Sequence, residues 1–144
     1  MDTIYTQEQV VAIAKSVLEY AALSDRTQGA TVIALVGELG AGKTTLVQAI
    51  SRMLGVTETV VSPTFTIAKF YETNDLKWQK LIHIDAYRIE DQDELEPLGF
   101  DDLVATLGTI MIVEWPEQIK EALPLRTLWF TIEHYDNMRH ITHF

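Results

Sequence analysis

The sequence predicts an α/β fold: a central, mostly parallel sheet flanked by helices, with antiparallel hairpin additions. Three observations carry that expectation. "ATVIALVG", Ala30 to Gly37, is a continuous apolar run of the kind found in strands buried on both faces of a parallel sheet. A glycine-rich turn and a helical stretch, "KTTLVQAISRMLG", follow it directly. "TIMIVEW", Thr109 to Trp115, repeats the buried-strand pattern late in the chain. In sheets built this way, ligands collect at the carboxyl ends of the strands.

Before the first strand, "TQEQVVAIAKSVLEYAAL" places Val10, Ile13, Ala14, Val17, Leu18 and Ala21 at helical spacing, with Lys15 and Glu19 on the wet side. Thr6 and Gln9 match a capping box, so the helix is expected to start there. The helix after the glycine-rich turn stops at Gly55, a C-terminal cap. "TFTIAKFYE" and "KLIHID", joined by the polar "TNDLKWQ", predict two strands in an antiparallel hairpin. "DQDELEPLGFDDLV" offers Leu95, Leu98 and Leu103 for partial burial, but Pro97 and Gly99 limit it to one or two short helices. "TLWFTIEHY" and "MRHITHF" form a closing hairpin across "DN".

Composition narrows the function classes. A chain of 144 residues is long enough for one domain with its own core, here residues 1–144, and short for two. Hydrophobic residues at 47% and charged ones at 22% give a globular balance. No apolar run approaches the ~20 residues of a membrane span, and "MDTIYTQEQ" lacks a signal-peptide layout, so a cytoplasmic protein is expected. The absence of cysteine excludes disulfides, thiolate metal sites and cysteine nucleophiles. A net charge of −10 opposes strong direct binding to nucleic acid, whose phosphates repel an acidic surface.

"GELGAGKT", Gly37 to Thr44, fits G-x-x-x-x-G-K-[ST] in full, between a predicted strand and a predicted helix. Gly37, Gly40 and Gly42 let the backbone turn tightly and bring its N–H groups to phosphate oxygens. Lys43 neutralises β/γ-phosphate charge, and the Thr44 hydroxyl can coordinate Mg²⁺. The expected fold is therefore that of a P-loop NTPase, with a nucleoside triphosphate as ligand.

Such a site needs a carboxylate at the end of a neighbouring strand. "LIHID" delivers Asp85 and "IMIVE" delivers Glu114. Asp85 also reads as a strand-end turn residue. Glu114 follows an apolar run, where a carboxylate is costly without a cation, hydrogen bonds or solvent. Spacing leaves open which one holds metal and which orients the attacking water. Strand alternation puts His83 on the face of Asp85, where it either orients Asp85, contacts phosphate or is satisfied within the sheet. Arg88 reads as an arginine finger or as an ion-pair partner of "EDQDE". "VSPTFT", Val61 to Thr66, reads as a nucleotide-sensing switch or as a strand-entry turn.

Together "GELGAGKTT", "SPTF", "HIDAYR", "LGFDDL" and "VEWPE", in this order, closely resemble the TsaE family, also called YjeE. The resemblance spans nearly the whole chain. It implies a small bacterial P-loop ATPase needed for N6-threonylcarbamoyladenosine in tRNA, working with TsaD and TsaB, the subunits that transfer the threonylcarbamoyl group. It also implies ATP and Mg²⁺ as cofactors. Carried over residue by residue, it makes Glu38, Leu39, Gly40, Ala41, Gly42, Lys43, Thr44 and Thr45 the ATP cradle and Thr44 and Glu114 the magnesium ligands. Asp85, with Lys43, becomes a catalytic residue for hydrolysis, Ser62 to Phe65 a switch-like segment, and Trp115 a neighbour of the nucleotide. Thr6 to Gln9, with Thr6 foremost, is the candidate for a residue near adenine, and the capping-box reading accounts for the same residues equally. Ala86 departs from the bulkier apolar residues common in the family at that position, which touches packing more than chemistry.

A small-molecule kinase is the main rival, but the chain has few arginines and no lid insertion over the phosphates. A GTPase lacks its N-K-x-D segment here. A nucleotide-gated binding module with negligible hydrolysis is the third class.

Overall fold

The computed structural model describes residues 1–63 and 66–143. Among the described residues seven strands form one sheet in the order β1-β7-β6-β2-β5-β4-β3. They are β1 (Asp2–Tyr5), β2 (Thr31–Val36), β3 (Ala68–Glu72), β4 (Lys80–Asp85), β5 (Thr109–Glu114), β6 (Leu128–Tyr135) and β7 (Met138–His143). The core strands β6, β2, β5 and β4 run parallel, and the antiparallel pairs β3–β4, β6–β7 and β1–β7 extend the sheet at both edges. The predicted α/β architecture with hairpin additions is thus the observed one.

Strand alternation divides the core into two layers. Ile33 and Leu35 of β2, Ile110 and Ile112 of β5 and Leu81 of β4 pack with Phe130 and Ile132 against helices α1 (Val10–Leu23) and α2 (Lys43–Met53). On the other face Val32, Ala34, Met111, Val113, Ile82 and Ile84 meet Leu95, Phe100, Ile119 and Leu123. Leu95 and Ile119 come from two 3₁₀ segments, Gln92–Leu98 and Pro116–Ala122, Phe100 from the short helix α3 (Phe100–Val104), and Leu123 caps the second 3₁₀ segment. Each fully buried Ile, Leu or Phe contributes about 1.5–3 kcal/mol by leaving water. Because Leu81 lies on the α2 side, alternation turns His83 and Asp85 to that side too. Glu114 follows Ile110 and Ile112 there.

Two details differ from the expectation. The capping pair is present, with Thr6 N–H donating to Gln9 Oε1 at 2.8 Å, but the first turn is 3₁₀ (Gln7–Gln9) and α1 proper begins at Val10. In addition β1, which "DTIY" did not announce, pairs with β7 and places Tyr5 opposite Arg139. Four residues at a sheet edge carry too short a pattern to be read without their partner strand. Among the described residues no helix is long and apolar enough to cross a membrane.

Candidate nucleotide site

Strand β2 ends at Val36, and the chain turns through residues 37–42 into α2. Gly37 lies so close to β6 that a Cβ would sit 2.6 Å from the Ile132 carbonyl oxygen, which excludes any side chain. Gly42 caps α2 at φ 103°, in the left-handed region that favours glycine. The first backbone N–H groups of α2, unsatisfied within the helix, face the end of the sheet with the positive end of the helix dipole.

Lys43 opens α2 and is only 5% exposed. Its ammonium donates to the Gly37 carbonyl and lies 3.8 Å from the centre of the Trp115 ring. Burial pulls its pKa below the ordinary lysine value, opposed by the charges of Glu114, Glu117, Asp85 and Glu38. Trp115 itself adopts φ 56°, ψ 47° immediately before Pro116, a backbone state costly for an L-residue and doubly so before proline. Its ring also leans on Tyr87, centroid to centroid 4.9 Å.

The two candidate carboxylates stand side by side, since Asp85 and Glu114 are register partners in the parallel β4–β5 ladder. Their surroundings separate them. Glu114, 3% exposed, accepts from the Thr44 hydroxyl through Oε1 at 3.0 Å and Oε2 at 3.1 Å. Its Oε2 is also 2.5 Å from His83 Nε2. Asp85, 8% exposed, accepts from the Ser62 hydroxyl at 2.9 Å and from the Tyr87 N–H at 3.0 Å. His83 therefore shares a face with Asp85, as alternation predicts, yet its partner is Glu114.

A cleft of about 360 Å³ joins these groups, lined among others by Gly42, Lys43, Thr44, Thr45, Asp85 and Glu114. Leu39, Gly40, Ser62, Tyr87, Arg88 and Trp115 complete most of its wall. Glu38 lines a neighbouring hollow behind Trp115, and Ala41 is buried in the turn. Thr6 is not part of the cleft wall; it follows Tyr5, whose strand partner Arg139 is. The Ser62–Phe65 expectation falls partly on Thr64 and Phe65, which lie outside the described residues.

Arg139, missed in the sequence, also lines the cleft. Its Nε lies 2.6 Å from where a Cβ on Gly42 would be, so the side chain crosses the phosphate loop. It forms no ion pair with a described carboxylate. Its one sequence signal is a cation in a closing strand of a chain with only 11 Lys and Arg.

No three described His, Cys, Asp or Glu side chains converge as a protein-only metal cage. The donor set fits Mg²⁺ instead, which keeps several waters and takes one or two carboxylate or hydroxyl ligands plus phosphate oxygens. A hydroxyl and a carboxylate already in contact, beside a phosphate loop, are that partial set.

Strand, glycine loop and helix at the centre of a mostly parallel sheet, with carboxylates at the ends of neighbouring strands, define a P-loop α/β protein. Comparison with known proteins resolves the class further. The family model described as "Threonylcarbamoyl adenosine biosynthesis protein TsaE" matches residues 4–141. The chain is 41% identical over 136 residues to the "tRNA threonylcarbamoyladenosine biosynthesis protein TsaE" of Bacillus subtilis, covering 94% of this chain and 78% of that one. It is 36% identical over 115 residues to the TsaE protein of Haemophilus influenzae, covering 80% and 70%. A crystal structure of YdiB from Bacillus subtilis superposes with a TM-score of 0.74 at 33% identity, covering 99% of this chain and 83% of that one. This chain belongs to the TsaE family.

Proposed function

We propose that the protein binds and slowly hydrolyses ATP with Mg²⁺, and that this cycle serves N6-threonylcarbamoyladenosine modification of tRNA. The observation that carries the nucleotide reading is the contact of Thr44 with both oxygens of Glu114, beside a complete phosphate loop. Backbone N–H groups of residues 38–45 cradle the phosphates, and Lys43 adds positive charge once its ammonium leaves the Gly37 carbonyl. Thr44 and Glu114 would hold Mg²⁺, which would supply positive charge to offset that of the phosphates. Asp85, on the adjacent strand, accepts a proton from or orients the attacking water. Trp115 and Tyr87 wall the cleft and limit access of bulk water.

The tRNA role follows from the names of the relatives, and the acidic charge favours a partner complex over tRNA as the docking surface. TsaD and TsaB are the partners this reading names. One observation favours a second reading, a nucleotide-gated binding module with negligible hydrolysis: Asp85 already accepts from Ser62 and from the Tyr87 N–H.

The test is ATP binding and hydrolysis, alone and with TsaD–TsaB, for the native protein, Glu114→Ala and Asp85→Ala. Glu114→Ala is expected to lose Mg²⁺-dependent binding, while Asp85→Ala binds ATP and hydrolyses it poorly. Equal loss of binding in both variants contradicts the division of roles. Turnover unmeasurable even with partners leaves the gated module.

A further inference from the structure

His83 is the most deeply buried ionisable group among the described residues, at 0% exposure. Burial of an imidazole is favourable only where its polar atoms are used, yet Nδ1 has no hydrogen-bond partner among the described residues. The ring therefore rests on one polar contact, Nε2 to Glu114 Oε2 at 2.5 Å. A side chain kept at the cost of an unpaired buried nitrogen is worth its place through that contact.

We infer that His83 is the positioning residue for the Glu114 carboxylate and so sets the affinity of the site for a divalent cation. The inference rests on the nucleotide reading above. The Thr44 hydroxyl currently bonds both Glu114 oxygens. A hydroxyl that coordinates a cation uses a lone pair and keeps a single O–H, which does not hold both carboxylate oxygens, so the orientation of the carboxylate about its last torsion depends on a further contact. His83 is that second hold. It approaches from β4, two residues before the register partner of Glu114, and its Cα lies opposite Ile112. The hold thus comes from the neighbouring strand, on the same face of the sheet as Thr44. Hydrogen bonds to ligating carboxylates typically change metal affinity 10–100-fold when removed.

Three substitutions separate positioning from packing. Gln places its amide nitrogen near the Nε2 position, Asn places its own nearer Nδ1, and Phe keeps the ring without a donor. The readout is binding of ADP and ATP by calorimetry, without divalent cation and across a MgCl₂ titration, with thermal denaturation of each nucleotide-free variant alongside. His83→Phe and His83→Asn are expected to raise the Mg²⁺ midpoint about 10–100-fold and leave cation-free nucleotide affinity nearly unchanged. His83→Gln is expected to recover most of that loss. If His83→Phe does not fold, the Gln–Asn pair carries the same comparison.

The inference is overturned if Gln and Asn shift the Mg²⁺ midpoint equally, or if cation-free and cation-dependent binding weaken together in step with thermal stability. A native protein that binds nucleotide without any Mg²⁺ dependence overturns instead the metal reading on which this one stands. A normal native titration with unshifted variants overturns only the role of His83.

Discussion

The Ser62 hydroxyl donates to Asp85 Oδ2 over 2.9 Å, tying the segment after α2 to the end of β4. Asp85 is fixed on its other oxygen by the Tyr87 N–H. Removing either partner therefore has a distinct effect. Asp85→Asn is expected to lower hydrolysis about 10²–10⁴-fold while nucleotide affinity stays within a few fold. Ser62→Ala frees one carboxylate oxygen and is expected to change turnover without abolishing it. Single-turnover hydrolysis with radiolabelled ATP measures both, and a Ser62→Ala loss as large as that of Asp85→Asn would place Ser62 itself on the reacting groups.

On the proposed nucleotide reading, burial makes Lys43 a pH-dependent phosphate anchor. Its pKa in the free protein lies below the ordinary lysine value, and bound phosphates add negative charge that pulls it back up. Between those two values the complex holds more protons than the free protein. Affinity for ATP should therefore fall as pH rises through that window, with proton uptake on binding. The unfolded chain also binds more protons there than the free folded protein, so the Lys43 contribution to fold stability rises with pH across the same window. Calorimetry of ATP binding in two buffers of different ionisation enthalpy checks the first sign. A heat independent of buffer contradicts it.

Arg139 brings a cation to the phosphate loop from the closing hairpin. Arg139→Gln is expected to weaken ADP and ATP binding about tenfold or more, as charge-assisted hydrogen bonds of roughly 1.5–3 kcal/mol are lost, with less effect at high salt. Gly42→Ala is expected to destabilise the protein by about 1–2 kcal/mol, from its positive φ, and to displace Arg139 as well. Nucleotide titrations at two ionic strengths and urea unfolding read these effects. Unchanged affinity in Arg139→Gln removes it from the site.

Leu46 of α2 is fully buried against the sheet. Leu46→Ala should cost about 2–5 kcal/mol, seen as a lower urea midpoint. Since α2 carries Lys43 and Thr44, weaker nucleotide binding should accompany it. A small shift would mean that the layer between α2 and β2 collapses onto the gap.

Much of the site was legible because it is local. Gly37 to Thr44 is a contiguous pattern whose residue types follow from phosphate chemistry, and Glu114 stood out as a carboxylate closing an apolar strand. What escaped depended on register between distant strands. His83 and Asp85 share a face by alternation, but only the offset of β4 against β5 hands His83 to Glu114, while Asp85 meets Ser62 from the segment after α2. Arg139 reaches Gly42 only because β7 returns beside β6, and β1 is a strand only because β7 is there to pair with it.

The β4–β5 ladder consequently acts as a ruler. His83 and Asp85 are two residues apart on one strand, a separation of about 6.5–7 Å fixed by the strand rise. Asp85 and Glu114 are neighbours across one parallel pair. The spacing of Glu114, His83 and Asp85 is thus a property of the sheet, which does not stretch. A partner acting on the proposed reaction would have to move something else. The parts that can move without breaking the ladder are the phosphate loop, the Ser62 segment and the strained Trp115, so these are where control from outside would be exerted.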